Sequence, residues 1–226
     1  MIEGRAVRRP ALFRARSSGV TIADFIRERL PLQPVPTVPE VRLHLAGPAS
    51  GMGRVGEIEP RDAGAPYWAY VWGGGLALAR HVLDRPDTVA GRAVLDLGSG
   101  SGLVAIAAMK AGAARVVAAD VSFAAAEAAR LNAAANGVAV EKMVADLLDG
   151  PPPSVDVTLV GDLFYEAVLA TRVLAWLQTC RAAGIPILIG DPGRATLPLD
   201  RLAPVAEYPG ADFGGTRTTN AVFSVR

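Results

Sequence analysis

Apolar residues follow two different rhythms on either side of residue 65. Ahead of it, Ile22, Phe25, Ile26 and Leu30 recur at helical spacing behind Thr21, whose hydroxyl suits an N-cap, so residues 21–30 predict a short helix. Pro31, Pro34, Pro36 and Pro39 then hold the backbone extended. Residues 41–45 predict a short strand, and the glycines within residues 49–56 predict a flexible loop. From residue 66 onward, short, mostly apolar runs alternate with longer, alanine-rich stretches. The runs at 93–97, 116–119, 140–144, 155–160 and 185–189 predict strands. Residues 75–83, 103–111, 124–136 and 168–183 predict helices, with Gly137 and Gly184 placed to stop the last two. Residues 205–208 and 218–225 are strand candidates in direct succession, separated by a glycine-rich loop.

Strands that alternate with helices build a mostly parallel sheet with helices on both faces. The expected fold is therefore α/β, a Rossmann-like doubly wound sheet of seven strands with a C-terminal antiparallel hairpin. Residues 1–60 read as an N-terminal extension, a short helix plus a Pro/Gly-rich segment, ahead of one domain over residues 61–226.

Composition removes whole classes of function. With 51% hydrophobic and 20% charged residues the chain is not disordered. Lys+Arg 23 against Asp+Glu 22 gives no global attraction for nucleic acid or anionic lipid, and neither is expected as a partner. Cys180 is the single cysteine, and His44 and His81 are the two histidines, so neither a disulfide nor a metal centre is expected. No apolar run has the length of a membrane span, and the arginine-rich start lacks the apolar stretch of a secretory leader. The expectation is a soluble, cytoplasmic monomer.

The strongest chemical signal is Val94-Leu95-Asp96-Leu97-Gly98-Ser99-Gly100-Ser101-Gly102, where a strand gives way to a helix. Glycines there let the backbone turn tightly and approach a ligand. The spacing is not that of dinucleotide binders, and Asp96 at the strand end suits an ammonium group better than a pyrophosphate. Asp120 ends the next strand, where an acid accepts from ribose hydroxyls, and Asp146 follows the third. Each alone is often a turn former or helix cap. Together, at consecutive strand ends, they fit S-adenosylmethionine. Asp96, Gly98, Ser99, Gly100 and Gly102 would take the methionine part, Asp120 with Val121 the ribose side, and Asp146 with Leu147 the adenine.

Three further motifs bear on the acceptor. Gly161-Asp162-Leu163-Phe164-Tyr165 follows the fourth strand, placing Asp162 and Tyr165 at the crevice; the alternative is that Asp162 caps the following helix. Gly190-Asp191-Pro192-Gly193-Arg194 follows the fifth, and Arg194 at the rim either guides an acidic partner or pairs with a surface carboxylate. Tyr67, Trp68, Tyr70 and Trp72 concentrate aromatics in a chain only 6% aromatic. They wall the cofactor or a lysine channel, or staple the N-terminal segment to the core; Trp72 is the better candidate for the cofactor.

The glycine motif followed by Asp162-Leu163-Phe164-Tyr165 resembles the seven-β-strand protein lysine methyltransferases, which carry Asp or Glu, two residues, then Tyr or Phe. Adding Pro66-Tyr67-Trp68-Ala69 and Ile189-Gly190-Asp191-Pro192-Gly193-Arg194, the chain more closely resembles the electron transfer flavoprotein β-subunit lysine methyltransferases, over about residues 66–226. The resemblance implies methyl transfer from S-adenosylmethionine, leaving S-adenosylhomocysteine, to lysines of that β subunit near its dehydrogenase-docking loop. It places Asp162 and Tyr165 as catalytic, Asp162 also at the cofactor, and Trp68, Tyr165, Asp191 and Arg194 at the substrate. A small-molecule N- or O-methyltransferase shares this crevice chemistry and stands as the alternative. A nicotinamide-dependent oxidoreductase is disfavoured by the glycine spacing and Asp96.

Overall fold

The computed structural model describes residues 19–62, 64–211 and 217–226. Helix α1 (Ile22–Arg29) starts at Thr21 through a capping box: the Thr21 hydroxyl accepts from the Asp24 amide while the Asp24 carboxylate accepts from the Thr21 amide. Strands β1 (Leu32–Val35) and β2 (Val38–His44) then pair antiparallel as a separate hairpin. Prolines are tolerated here because both strands are edges, with donors to spare. Residues 49–56 depart from the predicted loop. They wind into a 3-10 turn at Met52–Arg54 and a one-turn helix α2 (Val55–Ile58). Burial of Val55 against α1 outweighs the weak helix propensity of the surrounding glycines.

The remaining chain alternates helix and strand: α3 (Gly73–Asp84), β3 (Ala93–Leu97), α4 (Leu103–Lys110), β4 (Arg115–Asp120), α5 (Phe123–Ala135), β5 (Glu141–Val144), β6 (Val157–Gly161), α6 (Ala167–Ala182), β7 (Ile187–Asp191), β8 (Leu202–Ala211) and β9 (Arg217–Val225). The sheet has seven strands in the order β5-β4-β3-β6-β7-β9-β8. All neighbours are parallel except β9, which runs antiparallel to both β7 and β8 and slots between them. The expected α/β fold with its C-terminal hairpin is thus what forms.

One face of the sheet is covered by α3, α4 and α5, joined by Val35, Val38, Val41 and Leu43 of the N-terminal hairpin. The other face is covered by α6 through Val173, Trp176, Leu177 and Cys180. A third cluster packs α1 on Ala124, Ala125 and Ala128 of α5, whose small side chains permit a close approach. No helix among the described residues is long and apolar enough to cross a membrane.

After β3 the chain crosses to β4 on one side, and after β6 it crosses to β7 on the other. That reversal opens a crevice above the C-terminal ends of β3 and β6, where open α/β sheets bind ligands.

Candidate active site

The glycine turn leaves β3 on one wall of the crevice. The amides of Gly98 and Ser99 both donate to the Ala119 carbonyl, and the Gly100 amide donates to Asp120 Oδ2 at 2.9 Å. These bonds bend the turn over the end of β4. Gly102 requires glycine on two counts: its φ is +81°, and a Cβ there would lie 2.9 Å from the Ala129 methyl of α5. Ser99 is buried and its hydroxyl has no hydrogen-bond partner. An orphaned buried hydroxyl costs roughly 1–3 kcal/mol, which a polar ligand in the crevice would offset.

Two carboxylates sit beneath the turn. Asp96 is 2% exposed, and its Oδ2 accepts from the Ala105 amide in the first turn of α4. Burial pushes its carboxyl up to about 7, against the pull of that N–H and aided by Asp120 nearby. Burial likewise raises Asp120, although the amides of Ser122 and Gly100 favour its charge. A cationic or hydroxyl-bearing ligand would compensate both. Helix α5, directly after Asp120 and Val121, is capped twice. Ser122 Oγ accepts from Ala125, and the Asp62 carboxylate accepts from Phe123 and Ala124. Val121 is 69% exposed at the mouth. Asp146 accepts from the Leu148 amide and pairs with Arg172 at 2.9 Å, while half-buried Leu147 packs on the second core cluster.

The opposite wall is built on Asp162. It does not cap the following helix α6; Glu166 does, accepting from the Val168 and Leu169 amides. Asp162 instead caps α3, far away in sequence. Its Oδ1 accepts from the Gly74 amide at 3.0 Å and its Oδ2 from the Gly75 amide at 2.5 Å. It does so from φ +60°, a left-handed conformation that Asp adopts more readily than most residues. Burial raises its carboxyl to about 6, with the Arg194 charge and the α3 amides opposing. The head of α3 is itself locked: a Cβ on Gly74 would fall 2.1 Å from the Gly190 carbonyl oxygen at the end of β7, and one on Gly190 equally close to that of Gly74.

Arg194 is not at a surface carboxylate, as one reading of the sequence had it. Its Nη1 lies 2.5 Å from Asp162 Oδ1 and 3.3 Å from Asp191 Oδ2. Asp191 is fully buried, and its Oδ1 accepts from the amides of Gly193 and Arg194. The turn chemistry read from Asp-Pro-Gly therefore delivers a cation to Asp162, a long-range pairing that sequence spacing does not show.

The aromatic run divides. Trp68 is 5% exposed and packs in the cluster of α1 and α5, which is the stapling alternative. Trp72 donates from Nε1 to the Tyr67 carbonyl, and its ring meets Tyr67 edge-on with centroids 5.6 Å apart. Tyr67 also lies 5.6 Å from Tyr165. Tyr67 and Tyr165 are each about half exposed, so the three rings form an open aromatic wall at the crevice. Burial, with Tyr67 and Asp120 beside it, raises the Tyr165 phenol, which therefore stays protonated at neutral pH. Tyr67 was not singled out from sequence, though it belongs to the same aromatic run. Asp62 carried no signal.

Comparison with known proteins places the chain among methyltransferases. The profile of the ribosomal protein L11 methyltransferase (PrmA) family matches residues 77–170. The chain is 40% identical over 203 residues to the electron transfer flavoprotein beta subunit lysine methyltransferase of Xenopus laevis, spanning 87% of this chain and 82% of that protein. The Danio rerio protein of the same name is 48% identical over 132 residues, 58% of this chain and 51% of that one. Among solved structures, magnesium protoporphyrin IX methyltransferase from Synechocystis PCC 6803, with bound SAM, superposes at TM-score 0.51 over 68% of this chain and 80% of that chain, at 18% identity. That last likeness is one of fold.

Proposed function

The chain belongs to the electron transfer flavoprotein β subunit lysine methyltransferase family, and from this we propose that it methylates lysine side chains of that β subunit, with S-adenosylmethionine as donor. The observation that carries the reading is the placement of Asp162 and Tyr165. Both leave β6 at the point where the sheet reverses, opposite a glycine turn with an unpartnered serine hydroxyl. The residues present suit the donor. The glycine turn, Ser99 and Asp96 would hold its methionine part, Asp120 with Val121 its ribose side, and Asp146 with Leu147 its adenine. When bound, it supplies a methyl group already activated by a sulfonium charge.

The chain's own task is to present a neutral amine. With an ordinary lysine pKa near 10.4, that costs about 4.6 kcal/mol at pH 7. Tyr67, Trp72 and Tyr165 exclude water around the acceptor, and desolvation favours the neutral form. Asp162 cannot lower the cost, because a carboxylate favours the ammonium. It captures and orients the amine, and Tyr165 offers a protonated phenol as wall and hydrogen-bond partner. Positioning of this kind is worth several kcal/mol.

The test is mass spectrometry of purified flavoprotein β subunit after incubation with the enzyme and S-adenosylmethionine. Methyl additions on lysine are expected. An unmodified β subunit, together with label recovered in a small molecule when the enzyme and labelled donor are incubated with a cell extract, would replace this reading with the small-molecule alternative.

A further inference from the structure

We propose that Arg194 is a positioning residue for methyl transfer: it acts through Asp162, fixing that carboxylate against the head of α3, while buried Asp191 fixes the guanidinium from behind. The inference rests on the reading of Asp162 as the group that orients the acceptor amine. Three observations carry it. First, Asp162 stands just past the end of β6 at φ +60°, a sparsely populated conformation that persists only where surrounding contacts hold it. Second, three donors converge on it from two elements: the amides of Gly74 and Gly75, and Arg194 Nη1. Third, Arg194 is itself held, since Asp191 accepts from its guanidinium and from its own backbone amide.

The arrangement spends most of the acceptor capacity of Asp162 on protein donors. A carboxylate has about four lone-pair directions. Three are used, two on Oδ1 and one on Oδ2, which leaves Oδ2 with the free direction. An incoming amine therefore meets one oxygen in one direction rather than a freely rotating group. Arg194 also supplies the charge that keeps a buried carboxylate ionised, joined in this by the two α3 amides. The first turn of α3 adds no acidic residue. Among the described residues, Asp191 also faces the guanidinium, and its own ionisation is opposed by burial.

The experiment follows the carboxyl-carbon NMR signal of Asp162 against pH in the full chain, with the signal identified by its loss in Asp162→Asn. Methyl transfer to the flavoprotein β subunit is measured over the same pH range. Wild type should titrate near 6. Arg194→Met should raise the midpoint by about one to three units, and the acid limb of the rate profile should move alkaline by the same amount. Arg194→Lys should return both toward wild type, which a packing role would not achieve. The lysine variant also serves if the methionine variant fails to fold, because its single ammonium should still leave the midpoint above wild type. An unmoved midpoint in the folded variants overturns the proposal at Arg194. A midpoint that moves while the rate profile stays fixed overturns it at Asp162, and with it the role given to that carboxylate in the proposed function. Absence of any transfer by wild type, with the NMR midpoint shifting as stated, would sink the functional reading while leaving the hold of Arg194 on Asp162 standing.

Discussion

At position 162 the backbone and the charge make separate demands. A left-handed conformation costs roughly 1–2 kcal/mol for most residues but little for Asp, Asn or Gly. Asp162→Ala would thus lose a helix cap and add strain, confusing chemistry with folding. Asp162→Asn keeps the conformation and an acceptor for α3 while removing the charge. It should fold, bind the donor as wild type does, and lose about a hundredfold or more in turnover; near wild-type turnover would remove the charge from the mechanism. Asp96 gives a pH prediction. Its folded carboxyl titrates at about 7 against an ordinary 3.8, so the folded state binds the proton more tightly than the unfolded state does. Stability of the ligand-free protein should then fall as pH rises through the window between 3.8 and about 7, and level off above it. Asp96→Asn should flatten that dependence, raising Tm at pH 8 more than at pH 5, while weakening donor binding in calorimetry. An unchanged slope would mean that another group carries it. Individual acids at strand ends were legible in the sequence because their position follows from topology. The Asp162–Arg194 pairing was not, because contacts between the loops after β6 and β7 leave no trace in spacing.

Among elements, the inner parallel strands β3, β4, β6 and β7 were legible for a physical reason: parallel strands covered on both faces are mostly apolar runs. The N-terminal hairpin was only half legible. Its prolines predict extended chain, and although Pro36 suits the first central position of a turn, Thr37 adopts φ +64° where Asn or Gly is usual, so the turn was not marked. The exposed position makes a clean test. Thr37→Asn should stabilise the protein by up to about 1 kcal/mol, read as a higher urea midpoint at unchanged slope. No gain would show that the hairpin sits more loosely on the core than its buried valines indicate. Helix α2 was missed because local composition, rich in glycine, argued against it while tertiary burial of Val55 decided it.

For the molecule as a whole, one buried side chain links parts that the sequence presents as separate. Asn132 is fully buried on α5. Its Oδ1 accepts from the His44 amide at the end of β2, and its Nδ2 donates to the Ser101 carbonyl in the glycine turn, each at 2.8 Å. The N-terminal hairpin and the donor-binding turn therefore share a tether. Asn132→Ala should cost about 1–3 kcal/mol in stability and also weaken donor binding, measured by calorimetry; a loss of stability with unchanged affinity would show that the turn holds its shape unaided. The reversed sheet, the crevice and its acids are all consequences of strand order, so they could be read in advance; tethers such as this one depend on three-dimensional packing and could not. A different consequence follows from the mutual contact of Gly74 and Gly190. The obstruction each would meet is the other's carbonyl oxygen, which no side-chain change elsewhere can move aside. In a randomised library aimed at new acceptors, half-exposed Tyr67 is open to diversification, whereas these two positions should return glycine from every surviving clone, and should do so as a pair.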